Sequence, residues 1–458
     1  MAASSSGATL DTARLLEYGD RLLSRGAWGR DRLLSYQGEQ LSAVLRHAVN
    51  ASPYYRETIG DLFARNASFE EYPILTKEAL MANFDRIVTD PRLSRTLIEH
   101  HLDSDDPGAL LLGEYRVAAT GGTTGVKGVA VFDDAAWLAA IGNTVRFQKI
   151  VGIDENTRSM SVFASSPVHI SYRIGAEMRA IRAPAPRLNV LMPIEEIVDG
   201  LNTYQPEVVS TYPSFVRVLA NEQLAGRLHI RPRLIRTSAE TLTEDVREIA
   251  ATAWTAKVVN SYTCTEAGAM GHECECADGI HLAEDAFVFE VVDENNRVVP
   301  NGTPGSKLLV TTLTNFVLPL VRYEISDIVT LATESCPCGL PFWRIAKIDG
   351  RREEMLSFPK RGGGTVRVHG HRLRSPLTRI EGIRQYQFAQ LVDGLEITIC
   401  LSDGFDADRV KDELERSVRA TLSKVDGEPA QILIQVVDAI TRSGAGAKER
   451  LVVSRNQT

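Results

Sequence analysis

Between residues 158 and 312, short apolar segments alternate with helical segments, and this alternation restricts the fold more than any other feature of the chain. The segments RSMSVFAS, PEVVSTYP, RLIRTS and AKVVN have strand character, and the helical patterns FVRVLANEQL and EDVREIAATAW lie between the later ones. Strands that alternate with helices predict βαβ units and a largely parallel sheet with covered faces. We therefore expect an α/β fold.

The remainder of the chain predicts additional sheets and a second domain. The segments AFVFEVVDENNRVVP and SKLLVTTL indicate antiparallel strands with a turn at Asn295 and Asn296. Because 458 residues are too many for one compact core, we expect more than one domain. After Asp349 the pattern changes to strand segments with one amphipathic helix. This change predicts a large multi-sheet N-terminal domain (1–349) and a small α+β C-terminal domain (350–458). In the latter, Val410, Leu414 and Val418 form one apolar helix stripe.

Composition excludes several classes of protein. The chain is 44% hydrophobic and 24% charged, with a net charge of -8 and a pI near 5.7, which argues against a nucleic-acid partner. No apolar run approaches the length of a membrane span, and the first residues lack the basic and apolar parts of a signal peptide. We therefore expect a cytoplasmic protein with no membrane association. The oligomeric state stays open, and a homodimer is one of the assemblies considered.

Residues 120–128 read TGGTTGVKG, a composition suited to binding phosphate. Glycines can turn backbone N–H groups toward an anion, threonines add hydroxyl donors, and Lys127 adds charge. The segment also reads as an ordinary surface turn. The helical pattern that follows, with Trp137, Ile141 and Val145 on one face, predicts a helix whose positive N-terminal end faces the loop.

The loop resembles the phosphate loop of adenylate-forming enzymes, the acyl-CoA synthetases and their relatives, from Thr120 to Gly125. It departs from their pattern at Val126, which precedes Lys127 where the family has a proline. The resemblance implies that the nucleotide phosphates are bound by the following residues: Thr120, Gly121, Gly122, Thr123, Thr124, Gly125 and Lys127.

Further segments follow in the order of that family, and each has a plainer reading. RTSAE contains Ser238, Ala239 and Glu240, which by resemblance line the adenine and the acyl group, although a simple helix entry also fits. A capping box formed by Thr241 and Glu244 predicts the start of the next helix.

NSYTCTEAG resembles a family segment in which Tyr262 stacks on adenine, Thr265 contacts the nucleotide and Glu266 holds Mg²⁺. We expect Glu266 on a strand-to-helix turn. An acid at the start of a helix is the alternative reading.

LPLVRYEISD places Asp327 at the family position that binds the ribose, and a solvated loop acid is the alternative.

IDGRREEML resembles the element that joins the two domains, with Arg351 reaching ribose or phosphate and Glu353 as the hinge. An exposed charge run is the plainer reading. TRSGAGAKERL resembles a glycine–lysine segment on a mobile lid. It makes Lys448 the candidate catalytic lysine, although Ala447 separates it from Gly446.

The resemblance covers nearly the whole chain and is strongest to phenylacetate-CoA ligases, through QGEQLSAVLRHAVNASPYYR, YPILTKEAL and CPCGLPFWRIAKIDGRREEML. It implies an AMP-forming ligase that activates a small, aromatic carboxylic acid as acyl-AMP with ATP and Mg²⁺, releasing pyrophosphate. The acyl group would pass to CoA, a carrier-protein thiol, an amine or a hydroxyl. A catalytically silent nucleotide-binding protein is the other class considered. Aromatic walls suit a flat apolar acid, and the candidate pocket residues are Phe163, His169, Tyr172 and Tyr212. The alternative is that each is a core residue, the commoner fate of an aromatic side chain.

Cysteines and histidines suggest a structural zinc site. Cys274 and His281 lie in one segment, and Cys336 and Cys338 form a CPCG knuckle in another. Thiolates and an imidazole are ligands that tetrahedral zinc prefers, and the family resemblance implies the same four positions. Cys276, His272 and Cys264 are spare candidates, and buried free cysteines are the alternative.

Overall fold

The computed structural model describes residues 9–120, 128–164, 166–182, 184–392, 394–402, 404–438, 440 and 452–453. The chain divides into two compact units, of which the first comprises Met1–Ile325 with Val329–Lys347 and the second Ser326–Ile328 with Ile348–Thr458. The roles predicted for 1–349 and 350–458, an adenylation domain and a mobile lid, stay predictions. Within the described part of the chain, no helix is both long and apolar enough to cross a bilayer.

The helices of the first unit are α1 (Thr12–Ser24), α2 (Arg30–Ala51), α3 (Pro53–Ala64), α4 (Lys77–Ala82), α5 (Phe84–Ile87), α6 (Arg95–Leu102), α7 (Asp134–Ile150), α8 (Ile170–Ala180), α9 (Ile194–Tyr204), α10 (Pro213–Leu224) and α11 (Glu244–Trp254). The strands that begin in it are β1 (Arg116–Ala119), β2 (Val129–Phe132), β3 (Ser159–Phe163), β4 (Leu188–Asn189), β5 (Val208–Thr211), β6 (Leu234–Ser238), β7 (Lys257–Cys264), β8 (Gly268–Glu273), β9 (Ile280–Leu282), β10 (Phe287–Val292), β11 (Lys307–Thr312) and β12 (Tyr323–Ile325). Two further strands, β13 (Asp327–Leu331) and β14 (Arg344–Arg351), complete its main sheet.

A nine-stranded sheet forms the centre of this unit, in the order β13-β14-β9-β8-β7-β6-β5-β3-β4. Strands β4, β3, β5, β6 and β7 are parallel and are joined through α8 to α11, as the alternating pattern predicts. The α/β fold class is therefore confirmed. Because parallel strands end at the same edge of the sheet, the segments after β5, β6 and β7 are brought together there, the usual place for a ligand in such a fold.

Smaller sheets flank it. Strands β1 and β2 form an antiparallel hairpin, and β10, β11 and β12 form a three-stranded antiparallel sheet. The turn predicted at Asn295 and Asn296 is present: Asn296 has φ 64°, and the Asp293 carboxylate accepts from the Asn295 amide at 2.8 Å. The predicted capping box of α11 is wrong, because Thr243 rather than Thr241 occupies the N-cap and its hydroxyl makes no capping hydrogen bond.

A buried ion network ties the N-terminal helices to this unit. Both Oδ atoms of Asp285 accept from Arg146 at 2.9 Å, and Arg25 donates to Asp285 Oδ2 at 3.0 Å. The side chain of Asp285 is fully buried and that of Arg146 is 1% exposed. Removing one partner of such a network costs about 3–5 kcal/mol because a buried charge is left uncompensated.

The second unit contains β15 (Met355–Pro359), β16 (Thr365–His369), α12 (Gly370–Arg379), β17 (Ile383–Leu391), β18 (Gly394–Leu401), α13 (Ala407–Ser423), β19 (Gln431–Val436) and β20 (Val452–Val453). Its four-stranded sheet has the order β19-β18-β17-β20, and β15 pairs with β16. The predicted stripe of Val410, Leu414 and Val418 is buried in this unit's core, where each side chain contributes on the order of 1.5–3 kcal/mol.

Candidate active site

The predicted phosphate loop connects the two strands of the β1–β2 hairpin. Thr120 and Gly128 hold its ends together: the Thr120 amide donates to the Gly128 carbonyl at 2.8 Å, and the Gly128 amide donates to Thr120 Oγ1 at 2.8 Å. The remaining predicted phosphate ligands lie outside the described residues, and these are Gly121, Gly122, Thr123, Thr124, Gly125 and Lys127. Their roles stay predictions.

The helix expected to face the loop does not do so. Strand β2 intervenes, and α7 begins after Phe132, which pairs with Arg116 at the opposite end of the hairpin from the Ala119–Val129 pair next to the loop. Three residues of strand separate the two ends by about 10 Å. The first amides of α7 are capped instead by the Asp133 carboxylate, which accepts from the Ala136 amide at 2.7 Å.

Glu266 lies on the turn between β7 and β8, so the predicted strand-to-helix turn is wrong: β8 is an antiparallel strand. The residue is 6% exposed, and its Oε1 accepts from the Tyr323 hydroxyl at 3.0 Å. Burial and the neighbouring Glu266 charge raise the pKa of Tyr323, which keeps this phenol protonated as a donor. The carboxylate is thus held rigidly at the sheet edge.

Gly128 is where the loop, Glu266 and Lys77 converge. A Cβ placed on Gly128 would lie 2.9 Å from Lys77 Cε, 3.1 Å from Glu266 Oε1 and 3.2 Å from Thr120 Cγ2. A larger residue here would push the Lys77 side chain and the Glu266 carboxylate aside. A carboxylate and an ammonium group therefore flank the end of the predicted phosphate loop, an arrangement suited to a phosphate accompanied by a divalent cation.

Lys77 is the residue of this group that the sequence reasoning missed. It is the first residue of α4, where Thr76 caps the helix, and its Nζ donates to Thr120 Oγ1 at 3.2 Å. A lysine in the first turn of a helix is opposed by the helix dipole, but the effect is small, so the sequence held no strong signal for this role.

The segment after β6 adopts a conformation that is unusual for its residues. Ala239 has φ 70°, in the left-handed region that L-residues seldom occupy and that is costly outside glycine. The Glu240 carboxylate accepts from the Ser214 amide at 3.0 Å and so joins this segment to the start of α10. Ser238, Ala239 and Glu240 are all partly exposed at the sheet edge, where a ligand can reach them.

The aromatic candidates occupy the same edge with different exposure. Tyr262 on β7 is 7% exposed, and Thr265 on the following turn is half-buried. Phe163 and Tyr212 make an edge-to-face contact with ring centroids 4.9 Å apart. Tyr212 is 1% exposed and packs as a core residue, whereas Phe163 keeps accessible surface.

Two pocket candidates lie at the start of α8. The ring of His169, the residue before α8, is 8% exposed; its Nδ1 lies 3.1 Å from the Ala119 carbonyl, and its Nε2 is buried without a partner among the described residues. Tyr172, one turn into α8, is half-buried. His169 is thus next to the strand that leads into the phosphate loop.

Asp327 and Arg351 belong to the second unit. Asp327 is 9% exposed and opens β13, and the Arg351 Nε lies 3.3 Å from its Oδ1. The structure therefore brings together the residues predicted for the ribose and its neighbourhood. Glu353 lies in a short 3₁₀ helix (Arg352–Glu354), while Lys448 lies outside the described residues. The hinge and lid roles stay predictions.

The four predicted zinc ligands are close together in the first unit. Cys274 Sγ lies 3.6 Å from Cys336 Sγ, Cys338 Sγ lies 3.3 Å from His281 Nε2, and all four ligand atoms lie within 4.8 Å of one another. Burial lowers the pKa of His281 to about 4, so the ring is neutral, as a metal ligand must be. Tetrahedral bonds of about 2.3 Å to sulfur and 2.0 Å to nitrogen separate ligand atoms by roughly 3.5–3.8 Å, so this set fits zinc.

Comparisons with known proteins agree with this architecture. No protein-family model matches the chain. The phenylacetate-coenzyme A ligase of Thermus thermophilus is 25% identical over 347 residues, covering 71% of this chain and 72% of that protein. Protein CapK of Staphylococcus aureus is 23% identical over 447 residues, covering 92% of this chain and 89% of that protein.

Solved structures give the same result for the fold. A 2-hydroxyisobutyryl-CoA ligase in the postadenylation state has a TM-score of 0.74 at 20% identity, covering 93% of this chain and 90% of that one. An anthranilate CoA ligase in complex with anthranoyl-AMP has a TM-score of 0.55 at 13% identity, covering 72% and 64%. The chain shares its fold with these ligases.

Proposed function

We propose that this chain, an adenylate-forming, CoA-ligase-like protein, uses ATP to activate a small carboxylic acid as acyl-AMP and then transfers the acyl group to CoA. The observation that supports this proposal best is the convergence of Lys77, Glu266 and the closed loop end at Gly128. Glu266 follows β7, whose Ser261 pairs with Ser238 at the carboxyl edge of the parallel sheet. The similarity to phenylacetate-coenzyme A ligases gives the reaction class.

The chemistry follows from these positions. A carboxylate oxygen attacks the α-phosphorus of ATP, a new C–O–P bond forms, and the bond to the β-phosphate breaks as pyrophosphate leaves. Such a transfer depends mainly on positioning and on neutralising charge. Lys77 and Thr120 bind the departing phosphates, Glu266 would hold Mg²⁺, which supplies further neutralisation when bound, and Lys448 would neutralise the attacking carboxylate and the α-phosphate.

For the substrate, we propose an aromatic acid, supported by Phe163 at the sheet edge and by His169 and Tyr172 at the start of α8. For the acceptor, we propose CoA, because the similar proteins are phenylacetate-coenzyme A ligases. A cytoplasmic location and a homodimer remain predictions from the sequence.

The decisive experiment is a screen of aromatic and aliphatic acids for AMP release, with and without CoA. We expect acid-dependent AMP and pyrophosphate, and an acyl-CoA product when CoA is present. ADP and orthophosphate as products would contradict the proposal. If AMP release never depends on CoA and the acyl group passes to an amine or a carrier protein, acyl-AMP formation would stand and only the proposed acceptor would be wrong.

Lys77→Ala is expected to raise the KM for ATP by about tenfold or more, because a charge-assisted contact to phosphate contributes on the order of 1.5–3 kcal/mol. Steady-state kinetics with saturating acid measures this. Lys257→Ala is the matched control, since Lys257 is an exposed lysine that donates to the Glu275 carbonyl. Equal KM values for both variants would remove Lys77 from the phosphate site.

We further propose that Cys274, His281, Cys336 and Cys338 bind one structural zinc ion. Elemental analysis of purified protein is expected to give about one zinc per chain and about none in Cys336→Ser, because three ligands hold zinc far less tightly than four. Cys264→Ser, outside the cluster, is the control and should keep its zinc. Protein purified without chelators that contains no zinc would reject this site.

A further inference from the structure

Arg236 lies in the middle of the main sheet, on the face turned toward α7. In the sheet register it is opposite Ser210 on one side and Val259 on the other, which are 5% and 0% exposed. Val259 packs with Val151 at the end of α7, which identifies the face. Arg236 nevertheless keeps intermediate accessibility, so it is less enclosed than its two neighbours in the sheet.

No described residue compensates the charge of Arg236. Its Nε is buried without a hydrogen-bond partner, and no described carboxylate lies within ion-pair distance of it. Burial, together with the smaller effect of the nearby positive charge of Arg182, lowers the pKa of Arg236 to about 10. Two other buried arginines, Arg146 and Arg322, form ion pairs with Asp285 and Glu290, whereas Arg173 resembles Arg236 in having a buried Nε without a partner among the described residues.

Arg182 is a second cation of the same kind. It follows α8, donates to Gln148 Oε1, and has a buried Nε without a partner among the described residues. Burial lowers its pKa to about 10. Asp154 acts on it only from beyond ion-pair distance, because the Asp154 carboxylate accepts from Thr157 and from the Asn156 amide instead.

Further polar atoms on this face are also unsatisfied. Ser261 and His272 are opposite each other on β7 and β8, and Ser261 Oγ and His272 Nε2 are buried without partners among the described residues. The His272 ring stacks on Phe147 of α7 at 5.5 Å. Ser261 pairs directly with Ser238 of the edge segment. Arg236 lies two residues before Ser238 on the same face of β6, a distance of roughly 7 Å.

Burying two unpaired cations is strongly unfavourable unless an anion accompanies them. The chain supplies no such anion among its described residues, and Arg236 lies on β6 two residues before Ser238, in the segment that is expected to line the acyl group. An anion that enters with the substrate compensates both charges.

We propose that the acid activated by this protein carries a second carboxylate, about 7 Å from the one that is adenylated, and that Arg236 binds it with Arg182 in support. This inference rests on the proposed function and narrows its substrate class to dicarboxylic acids. A benzene ring with carboxyl groups at opposite positions has the required length and suits the aromatic residues at the edge.

The test compares matched acids in acid-dependent ATP–pyrophosphate exchange: benzene-1,4-dicarboxylate against benzoate, and 4-carboxyphenylacetate against phenylacetate. We expect wild-type kcat/KM to favour the diacid of each pair by at least about tenfold. Arg236→Met should lose that preference with little change for the monoacids, and Arg236→Lys should restore part of it. Arg233→Met is the control, because Arg233 is exposed and donates to the Gly152 carbonyl.

Two results would overturn the inference: a wild-type preference for the monoacids, or an unchanged ratio in Arg236→Met. Failure of every acid to support exchange would instead count against the proposed function. Calorimetric binding of the diacids without ATP then decides, since wild type should bind them and Arg236→Met should not. A merely structural Arg236 predicts a lower Tm for ligand-free Arg236→Met, whereas removal of an uncompensated buried charge predicts an equal or higher Tm.

Discussion

Lys448→Ala is expected to lower acid-dependent AMP formation by about 10²- to 10³-fold, the usual effect of removing one group that stabilises transition-state charge. ATP binding should be retained, because the phosphate contacts proposed for Lys77, Thr120 and the loop do not involve this lysine. Single-turnover AMP formation and equilibrium binding of ATP measure the two effects separately. The prediction rests on the family resemblance, since Lys448 lies outside the described residues.

Lys424→Ala provides the matched control for this variant. Lys424 is an exposed lysine at the end of α13, so its loss should leave turnover unchanged. Undiminished turnover in Lys448→Ala would defeat the assignment. If the wild-type protein binds ATP and forms no AMP with any acid, the chain is the catalytically silent binder that the sequence left open.

Glu266→Gln is expected to lower kcat/KM for ATP by about 10²-fold and to raise the Mg²⁺ concentration needed for half-maximal activity. The amide oxygen can still accept from Tyr323, so the local structure should persist while the charge that is proposed to hold the cation is lost. A Mg²⁺ titration of AMP formation measures both effects.

Tyr323→Phe separates the charge of Glu266 from its positioning. This variant keeps the carboxylate and removes the donor that lies 3.0 Å from it. We expect a loss of about tenfold or less, as for one hydrogen bond to a charged group. A larger loss in Tyr323→Phe than in Glu266→Gln would show that the geometry of the turn, and not the carboxylate charge, carries the effect.

Sequence patterns predicted the parallel part of the sheet and the amphipathic α13 because each follows from local periodicity. The family resemblance assigned both Asp327 and Arg351 to the neighbourhood of the ribose, and the two side chains lie close together in the structure. Ligand chemistry and the same resemblance grouped Cys274 and His281 with the CPCG knuckle, and these residues are also close together. Both assignments could be made from the sequence because each rests on short motifs that can be recognised without knowing the fold.

Other features depend on contacts between distant segments and could not be read locally. The helical pattern after the loop gave no sign that β2 would pair back onto β1, which moves the start of α7 away from the loop. Lys77 and Gly128 are 51 positions apart and meet only in the folded chain. Likewise, whether Arg236 has a counter-ion depends on α7 and on the loop after α8.

The Arg25–Asp285–Arg146 network has a practical consequence for work with this protein. Asp285 precedes β10 and Arg146 lies in α7, so a polypeptide trimmed to start after Arg25 would expose a gap beside two interior charges. Such a trimmed version should express poorly or aggregate, even though the sheet and its ligand-binding edge are intact. A shortened chain made for crystallisation should therefore keep α1 and Arg25.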